Sequence, residues 1–298
     1  MTTLLRTLRA ILLLVVVACV GLAIWVYIAS ERRLNKTYDI TVIPIAARTD
    51  SASVARGEYL FQSITCALCH GEDGGGAIME QDRLIGTMAG PNLTRGRGGS
   101  GAQRSDIDFV RAIRRGVRHD GTSLIVMPSE VFKHLAASDV GAILGYMRQL
   151  PPVDRDIPAS GFGPMGRALL AAGKLNILVA PKTAYYEAPA TPPPSGTIEY
   201  GRYLADVSGC HGCHGYGLSG GRVAGPPGLP PASNLTPTGI GKWTEADFTR
   251  AMREGKRPDG STLDPFMPWS VFRNMSDADL HTLWLYLQSV PSKEFGNK

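Results

Sequence analysis

An internal duplication constrains the fold of this chain more than any other feature. The motif Gly-x-Tyr-Leu, at Gly57 and again at Gly201, leads in both copies to Cys-x-x-Cys-His, whose first cysteine lies nine residues after the glycine. Each copy continues in the same order through Asn-Leu-Thr, Asp-Phe-x-Arg-Ala, Asp-Gly and Met-Pro. Because a repeated sequence encodes a repeated structural unit, we expect two homologous domains, residues 55–152 and 197–298.

Helical signals dominate both copies. Each copy closes on a segment whose apolar residues recur at helical spacing and which stops at a proline, Pro151 or Pro291. The sequences Ser-x-x-Asp at Ser105 and Thr-x-x-Asp at Thr244 are capping boxes that start a further helix in each copy. These patterns predict an all-α fold with about three helices per domain, long glycine-rich loops and little or no sheet.

Four of the five cysteines belong to the two Cys-x-x-Cys-His motifs. Two thiols three residues apart on one helical turn can both reach the vinyl groups along one haem edge, and the imidazole of the next residue then lies under the iron. The motifs therefore predict two covalently bound haem c groups, attached through Cys66, Cys69, Cys210 and Cys213 and ligated by His70 and His214.

Two other interpretations of the cysteine pairs explain less of the sequence. A zinc site requires closely spaced pairs, whereas these pairs lie 144 residues apart in separate copies. A redox dithiol explains neither the histidine that follows each pair nor the duplication. Haem attachment is the interpretation that accounts for all three observations.

A methionine followed by a proline stands at the equivalent place in each copy. A thioether opposite a histidine stabilises ferrous iron and raises the reduction potential, so we expect Met127 and Met267 to be the sixth iron ligands. We also expect a backbone carbonyl to accept a hydrogen bond from the other ring nitrogen of each proximal histidine. Pro91 is the candidate acceptor in the first domain, and the acceptor in the second domain stays open.

The N-terminal region, residues 1–36, contains an uncharged apolar run from Ala10 to Ser30. This run is long enough to cross a hydrocarbon core of roughly 30 Å as one helix, and we interpret it as a membrane anchor joined to the first domain by a linker, residues 37–54. A cleaved secretory signal and a lipoprotein signal with Cys19 lipidated are the alternatives. Haem attachment takes place outside the cytoplasm, so we expect a single-pass protein of the bacterial inner membrane with its haem domains in the periplasm.

The formal net charge of +5 does not indicate a nucleic-acid partner. Residues 1–36 contain five cations and one anion, which leaves 26 cations and 25 anions in the rest of the chain. The body is therefore close to neutral, and the propionates of two haems would make it acidic. We expect membrane lipid, and no nucleic acid, around this protein.

A proline-rich linker, residues 153–196, separates the two copies. It also contains the apolar segment from Gly166 to Val179, which is at odds with a free linker. We expect a short helix there, and two roles stay open for it: packing the two domains together, or docking a partner protein.

From about residue 55 to residue 296 the chain resembles the class I c-type cytochromes, in which a histidine after the second attachment cysteine and a methionine from a later loop ligate the iron. More narrowly, it is similar to the cytochrome c subunits of bacterial membrane-bound dehydrogenases for alcohols, aldehydes and sugar acids. The matching motifs are Gly-x-Tyr-Leu, Asn-Leu-Thr, Asp-Phe-x-Arg-Ala and the Met-Pro loop. That family often has three haem domains and a C-terminal anchor, whereas this chain has two and an N-terminal apolar run.

The resemblance implies electron transfer without catalysis. A dehydrogenase or quinol-oxidising subunit would donate single electrons, and a downstream cytochrome or terminal oxidase would accept them, so we expect no catalytic residues. The alternative is an enzyme of the dihaem peroxidase type, which requires one haem with an open sixth position. The methionines at matching places in both copies favour the electron carrier.

Overall fold

The computed structural model describes residues 2–223 and 228–296, and it is mostly helical. A long helix, α1 (Thr2–Leu34), precedes the first domain. The first domain contains α2 (Ser51–Ser63), α3 (Cys66–His70), β1 (Ala77–Asp82), β2 (Gly86–Gly90), α4 (Asp106–Arg115), α5 (Ser129–Phe132) and α6 (Ala137–Gln149). Between the domains lie β3 (Gly161–Phe162), α7 (Pro164–Ala171) and a 3-10 turn (Ala180–Lys182). The second domain contains α8 (Ile198–Val207), α9 (Cys210–His214), α10 (Pro237–Ile240), α11 (Glu245–Glu254), α12 (Trp269–Phe272) and α13 (Asp277–Ser289).

The first and last long helices of each domain cross at the glycine of the Gly-x-Tyr-Leu motif. A Cβ atom added at Gly57 of α2 would lie 2.0 Å from the carbonyl oxygen of Ala142 in α6. A Cβ atom at Gly201 of α8 would lie 2.4 Å from the carbonyl oxygen of Thr282 in α13. Only glycine allows the backbones to approach this closely, which explains the residue in both copies.

The apolar positions of these helices form the core, as the helical spacing predicts. Leu60 and Leu204, which follow the crossing glycines, are almost fully buried, and so are the inward residues of α6 and α13. The capping boxes at Ser105 and Thr244 are also confirmed, because Asp108 and Asp247 accept hydrogen bonds from the backbone N–H of those two residues. The all-α prediction therefore holds for the core of both domains.

A small sheet departs from the expectation of little or no sheet. The strands β1, β2 and β3 form an antiparallel sheet in that order, beside the glycine-rich loop of the first domain. The carboxylate of Asp82 accepts hydrogen bonds from the backbone N–H groups of Leu84 and Ile85, which closes the turn between β1 and β2. This side-chain cap and the pairing with β3 stabilise strands that the alternation of residues did not indicate.

The helix expected in the linker is present, but it does not pack the two domains together; its role in docking a partner stays a prediction. It spans Pro164–Ala171 and lies chiefly against α1 rather than between the two domains. Arg167 donates hydrogen bonds to Ser30 Oγ at 3.0 Å and to Glu31 Oε1 at 2.6 Å. Almost the whole apolar run of α1 before this contact is exposed, and by length and composition it could cross a bilayer.

Candidate haem sites

Each Cys-x-x-Cys-His motif forms a helix of little more than one turn. The residues before the two helices, Thr65 with φ 76° and Gly209 with φ 77°, adopt left-handed backbone conformations that end the preceding helix and start a new one. The residue after each histidine is also a glycine with positive φ, Gly71 or Gly215. The turns isolate a five-residue helix, so the two cysteines and the histidine stay close together.

The thiols have the character of buried, unreactive groups rather than of metal-binding or redox cysteines. Burial, with a smaller contribution from the neighbouring cysteine, raises the pKa of both the Cys66 and the Cys210 thiol to about 12. Reactive and metal-binding cysteines instead have lowered pKa values. In the described residues no three His, Cys, Asp or Glu side chains converge as a metal site. The raised pKa values argue against a reactive dithiol.

Both histidines are oriented by a backbone carbonyl. His70 Nδ1 lies 2.9 Å from the carbonyl oxygen of Pro91, and His214 Nδ1 lies 2.7 Å from that of Ser233. A carbonyl can only accept, so Nδ1 carries the proton in each ring and Nε2 keeps a lone pair for a metal. Pro91 is therefore confirmed as the acceptor in the first domain, and Ser233 supplies the acceptor that the sequence left open.

The charge of the two imidazoles also suits metal ligation. Burial lowers the pKa of His70 and of His214 below the usual range, although the carbonyl partner of each opposes the effect. Both rings are therefore neutral at pH 7, which is the form that ligates iron.

The Asn-Leu-Thr motif holds each histidine-orienting carbonyl in place, a role that the sequence did not reveal. Asn92 donates to the carbonyl of Val153 at 2.7 Å, and its Oδ1 accepts from the backbone N–H and the hydroxyl of Thr94. Asn234 donates in the same way to Lys293, also at 2.7 Å. Each asparagine thus ties the loop behind the histidine to the segment after the last helix. The motif's recurrence was visible, but its partner lies about 60 residues away.

A cavity in the second domain has a largely apolar wall that also contains a histidine and a methionine. It is lined by His214 and Met267 and by Cys213, and its apolar wall includes Leu235, Ile240, Trp243, Phe248 and Leu263. Arg257 and Asp264 add one positive and one negative side chain to the wall. The donor set and the apolar wall match the haem ring, and Arg257 supplies a guanidinium that could pair with a propionate.

Met127 and Met267 occupy equivalent positions just before the short helices α5 and α12. Both are partly buried and pack against the core. Val126, directly before Met127, has φ 72°, which is a strained conformation for a β-branched side chain. The second domain contains one more residue in this loop, between Leu263 and Met267, and all the residues of that loop, which the structure describes, have negative φ.

Two hydrogen bonds join the domains, and each runs from a tyrosine of one domain to an aspartate of the other. Tyr59 of the first domain donates to Asp279 of the second at 2.5 Å, and Tyr203 of the second donates to Asp139 of the first at 2.7 Å. Each hydroxyl also accepts a backbone N–H from the partner domain, that of Ser276 or Ala136. The repeated Gly-x-Tyr-Leu tyrosine therefore builds an interface with approximate two-fold symmetry.

Further contacts of this interface lie next to both Cys-x-x-Cys-His helices. Helix α5 of the first domain packs on α8 of the second, and α12 of the second packs on α2 of the first. Helices α2 and α8 lead directly into the two Cys-x-x-Cys-His motifs. A Cβ atom at Gly209, next to Cys210, would lie 3.4 Å from the Val131 side chain of the first domain. On the other side, Asn274 donates to the carbonyl of Gln62, four residues before Cys66.

Comparison with known proteins supports this description domain by domain. The family model for subunit III of cbb3-type cytochrome c oxidase matches residues 52–147, and the cytochrome c family model matches residues 198–291. The chain is 28% identical to a diheme cytochrome c-type protein of Cereibacter sphaeroides, over 92% of this chain and 98% of the relative.

Other relatives are larger proteins. The chain is 43% identical over 115 residues to a nicotinate dehydrogenase subunit of Pseudomonas putida, a match that covers 34% of this chain and 10% of the relative. It is 28% identical to the fructose dehydrogenase cytochrome subunit of Gluconobacter japonicus, over 84% of this chain and 55% of the relative. The chain thus spans about half, or less, of these two relatives.

Proposed function

The chain is a dihaem class I c-type cytochrome with two covalently bound haem c groups, and we propose that it relays single electrons from a dehydrogenase or quinol-oxidising donor to a downstream cytochrome or terminal oxidase. When bound, each haem supplies reversible one-electron exchange at iron. The protein holds both irons in a fixed environment and sets the distance between them. No side chain needs to act on a substrate.

In this proposal Cys66, Cys69, Cys210 and Cys213 attach the haems, and His70, Met127, His214 and Met267 ligate the irons. The histidine assignments are supported by the carbonyl bonds that leave Nε2 free of a proton. The Met267 assignment is supported by the cavity wall that Met267 shares with His214, and Met127 is assigned by its equivalent position. A histidine and a methionine on each iron leave little to reorganise when the charge changes.

The observation that carries the proposal is the interface formed by the two tyrosine–aspartate hydrogen bonds between the domains. Asp139 and Asp279 are buried, at 3% and 5% exposure, and each accepts a hydrogen bond from the other domain's tyrosine. Arg56 adds an ion pair to Asp139 at 2.9 Å. Buried, fully paired polar groups fix the orientation of two packed units. A fixed orientation of the two domains keeps the distance between their haems constant, which suits electron transfer between them.

A dehydrogenase donor is supported by the names of the larger relatives, and anchoring in the bacterial inner membrane is supported by the exposed apolar run of α1. We propose that the haem domains lie on the periplasmic side of that membrane. Detergent extraction followed by intact mass would test the anchor. If the mass includes residues 1–36, the anchor is retained. If the mass shows that the mature protein begins after this region, the apolar run is a cleaved signal.

A carbon monoxide difference spectrum of the fully reduced protein tests the carrier against the peroxidase alternative. We expect little binding at low carbon monoxide, because both irons have a sixth ligand, and no turnover of hydrogen peroxide. Mixing with a soluble ferric monohaem cytochrome c should then oxidise both haems. Stoichiometric carbon monoxide binding together with peroxide turnover would replace the carrier by an enzyme.

A further inference from the structure

The linker after α7 lies along the loop that carries Met127. The backbone N–H of Val126 donates to the carbonyl of Ile177 at 3.1 Å, and the N–H of Val179 donates to the carbonyl of Leu124 at 3.0 Å. Between these bonds Ile125 and Leu178 form an antiparallel bridge. Residues 177–180, here called the clamp segment, therefore add a short strand to the Met127 loop from outside the first domain.

The side chain of Ser123 forms two further hydrogen bonds with the clamp segment. Its side chain is buried, at 1% exposure, and its Oγ accepts the backbone N–H groups of Val179 at 2.9 Å and Ala180 at 3.0 Å. The Ser123 hydroxyl proton goes to the carbonyl of Leu124. The Val179 side chain packs on Gly116, where an added Cβ atom would lie 2.2 Å from Val179 Cγ1. Polar and apolar contacts thus hold the same two residues of the linker.

The Met267 loop of the second domain has no comparable strand among the described residues. There the backbone groups of 263–267 form loop hydrogen bonds only with residues 255–269, such as Leu263 to Gly255 at 2.7 Å and Met267 to Asp264 at 3.0 Å. The glycine equivalent to Gly116 is Gly255, and it is covered by Trp269, a residue of the same domain. In the part of the chain that the structure describes, the Met267 loop is therefore supported by its own neighbourhood alone.

We propose that the clamp segment makes the two axial methionines unequal, so that Met267 leaves iron more readily and external ligands bind first at the second haem. This inference rests on the ligation proposed above. A loop opens locally at a free energy set by the contacts that it must break. To move Met127 away from iron, its loop must break its hydrogen bonds to the clamp segment. The Met267 loop has no such bonds among the described residues.

Imidazole titration of the oxidised holoprotein tests the inference. The probe is imidazole, and the readout is loss of the methionine-to-iron charge-transfer absorption. We expect two binding events of equal amplitude, with affinities that differ by about tenfold or more, as the loss of one or two hydrogen bonds implies. The Met267→His variant should lack the tighter event, and the Met127→His variant should keep it.

Loosening the clamp segment should affect only the weaker event. Ser123→Ala removes the acceptor for the backbone N–H groups of Val179 and Ala180, and Val179→Ala is a milder change that leaves both groups bonded to Ser123 Oγ. Both should strengthen imidazole binding at the first haem: by about tenfold for Ser123→Ala, which removes an acceptor, and by less for Val179→Ala, which removes only the side-chain contact with Gly116. The matched control is Thr262→Ala, at the equivalent position of the second domain, which should leave both events unchanged.

Three results would overturn the inference: equal affinities at the two haems, loss of the tighter event in Met127→His rather than Met267→His, or no response of the weaker event to either clamp variant. A failure of the proposed ligation looks different. In that case the oxidised protein would show no methionine-to-iron absorption before imidazole is added.

Discussion

The last helices of the two domains, α6 and α13, share their buried face and differ on their outer face. Helix α6 carries Gly141 and Gly145, and the irregular segment before α2 lies on them. The backbone N–H of Arg48 donates to the carbonyl of Gly141, and a Cβ atom at Gly145 would lie 1.8 Å from the Arg48 carbonyl oxygen. At the matching positions α13 carries His281 and Leu285, both exposed.

The two domains also differ in the loops between the histidine and the Asn-Leu-Thr motif. The first domain has a hairpin between its histidine and its Asn-Leu-Thr motif, whereas the described residues of the second have only a bridge between Gly221 and Ala232. Pro230 and Pro231 precede that bridge residue and have no N–H to donate to a strand. The first domain is therefore covered by its own hairpin and by segments outside its repeat, namely β3 and the residues around Arg48, whereas the described residues of the second domain show no counterpart of either. A duplicated core tolerates different coverings because its helix crossing is independent of them.

The helix crossing should be the most sensitive shared feature. Gly57→Ala and Gly201→Ala each place a methyl group against a rigid backbone carbonyl, so both should lower the free energy of unfolding by about 2–3 kcal/mol. The Gly57 change should cost more, because the approach is 2.0 Å rather than 2.4 Å. Urea denaturation followed by Soret absorption measures both.

Gly161→Ala is the control for this pair, since none of the described residues comes within 4 Å of its added Cβ atom. It should change stability by less than about 1 kcal/mol. If Gly57→Ala and Gly201→Ala were as mild as this control, the close crossing would not be the reason for the glycine in the motif.

The asparagines behind the histidines should come next. Asn92→Ala and Asn234→Ala leave buried backbone groups without partners and should each cost about 2 kcal/mol. Asn92 should be the costlier of the two, because its amide also lies 3.2 Å from the carbonyl of Arg155. A purely structural role predicts lower stability alone. Positioning of the histidine predicts, in addition, a shifted reduction potential at the haem of the mutated domain, measured by spectroelectrochemical titration.

The interface tyrosines should have a smaller effect. Tyr203→Phe removes the donor to Asp139 and leaves the buried N–H of Ala136 without an acceptor, at a cost of about 1–2 kcal/mol. Tyr59→Phe should cost less, since Tyr59 is more exposed than Tyr203. Both should slow electron exchange between the haems in flash photolysis. An unchanged exchange rate in the Tyr59→Phe, Tyr203→Phe double variant would contradict a role of this interface in the relay.

The smallest effect is a dependence on alkaline pH. Burial, together with the hydrogen bond to Asp279, raises the pKa of Tyr59 to about 12, above the value of about 10 for an unfolded tyrosine. A raised pKa stabilises the fold fully below pH 10, and that stabilisation is lost as the pH rises toward 12. The stability advantage of the wild type over Tyr59→Phe should therefore shrink across this window. A constant difference in stability from pH 9 to pH 12 would exclude the linkage.

Local and periodic features of this protein were readable from the sequence. Cys66, Cys69 and His70 are neighbours in the chain, the closing helices follow a 3.6-residue period, and Ser105 caps its own helix. The duplication then allowed each signal to be checked against a second copy. For the same reason Met127 and Met267 could be paired by position, and Pro91 could be proposed as a carbonyl acceptor close to the motif.

Only the tertiary structure decided how the two copies differ and how they meet. Tyr59 and Asp279 are 220 residues apart, and the strand that the linker adds to the Met127 loop joins residues more than 50 apart. Contacts between residues so far apart leave no period and no spacing in the sequence. Backbone acceptors such as the carbonyl of Ser233 leave no signal either, because every residue type has a carbonyl. They depend on where packing brings the chain, so the haem motifs were fixed by local sequence and the surroundings of each haem by the fold.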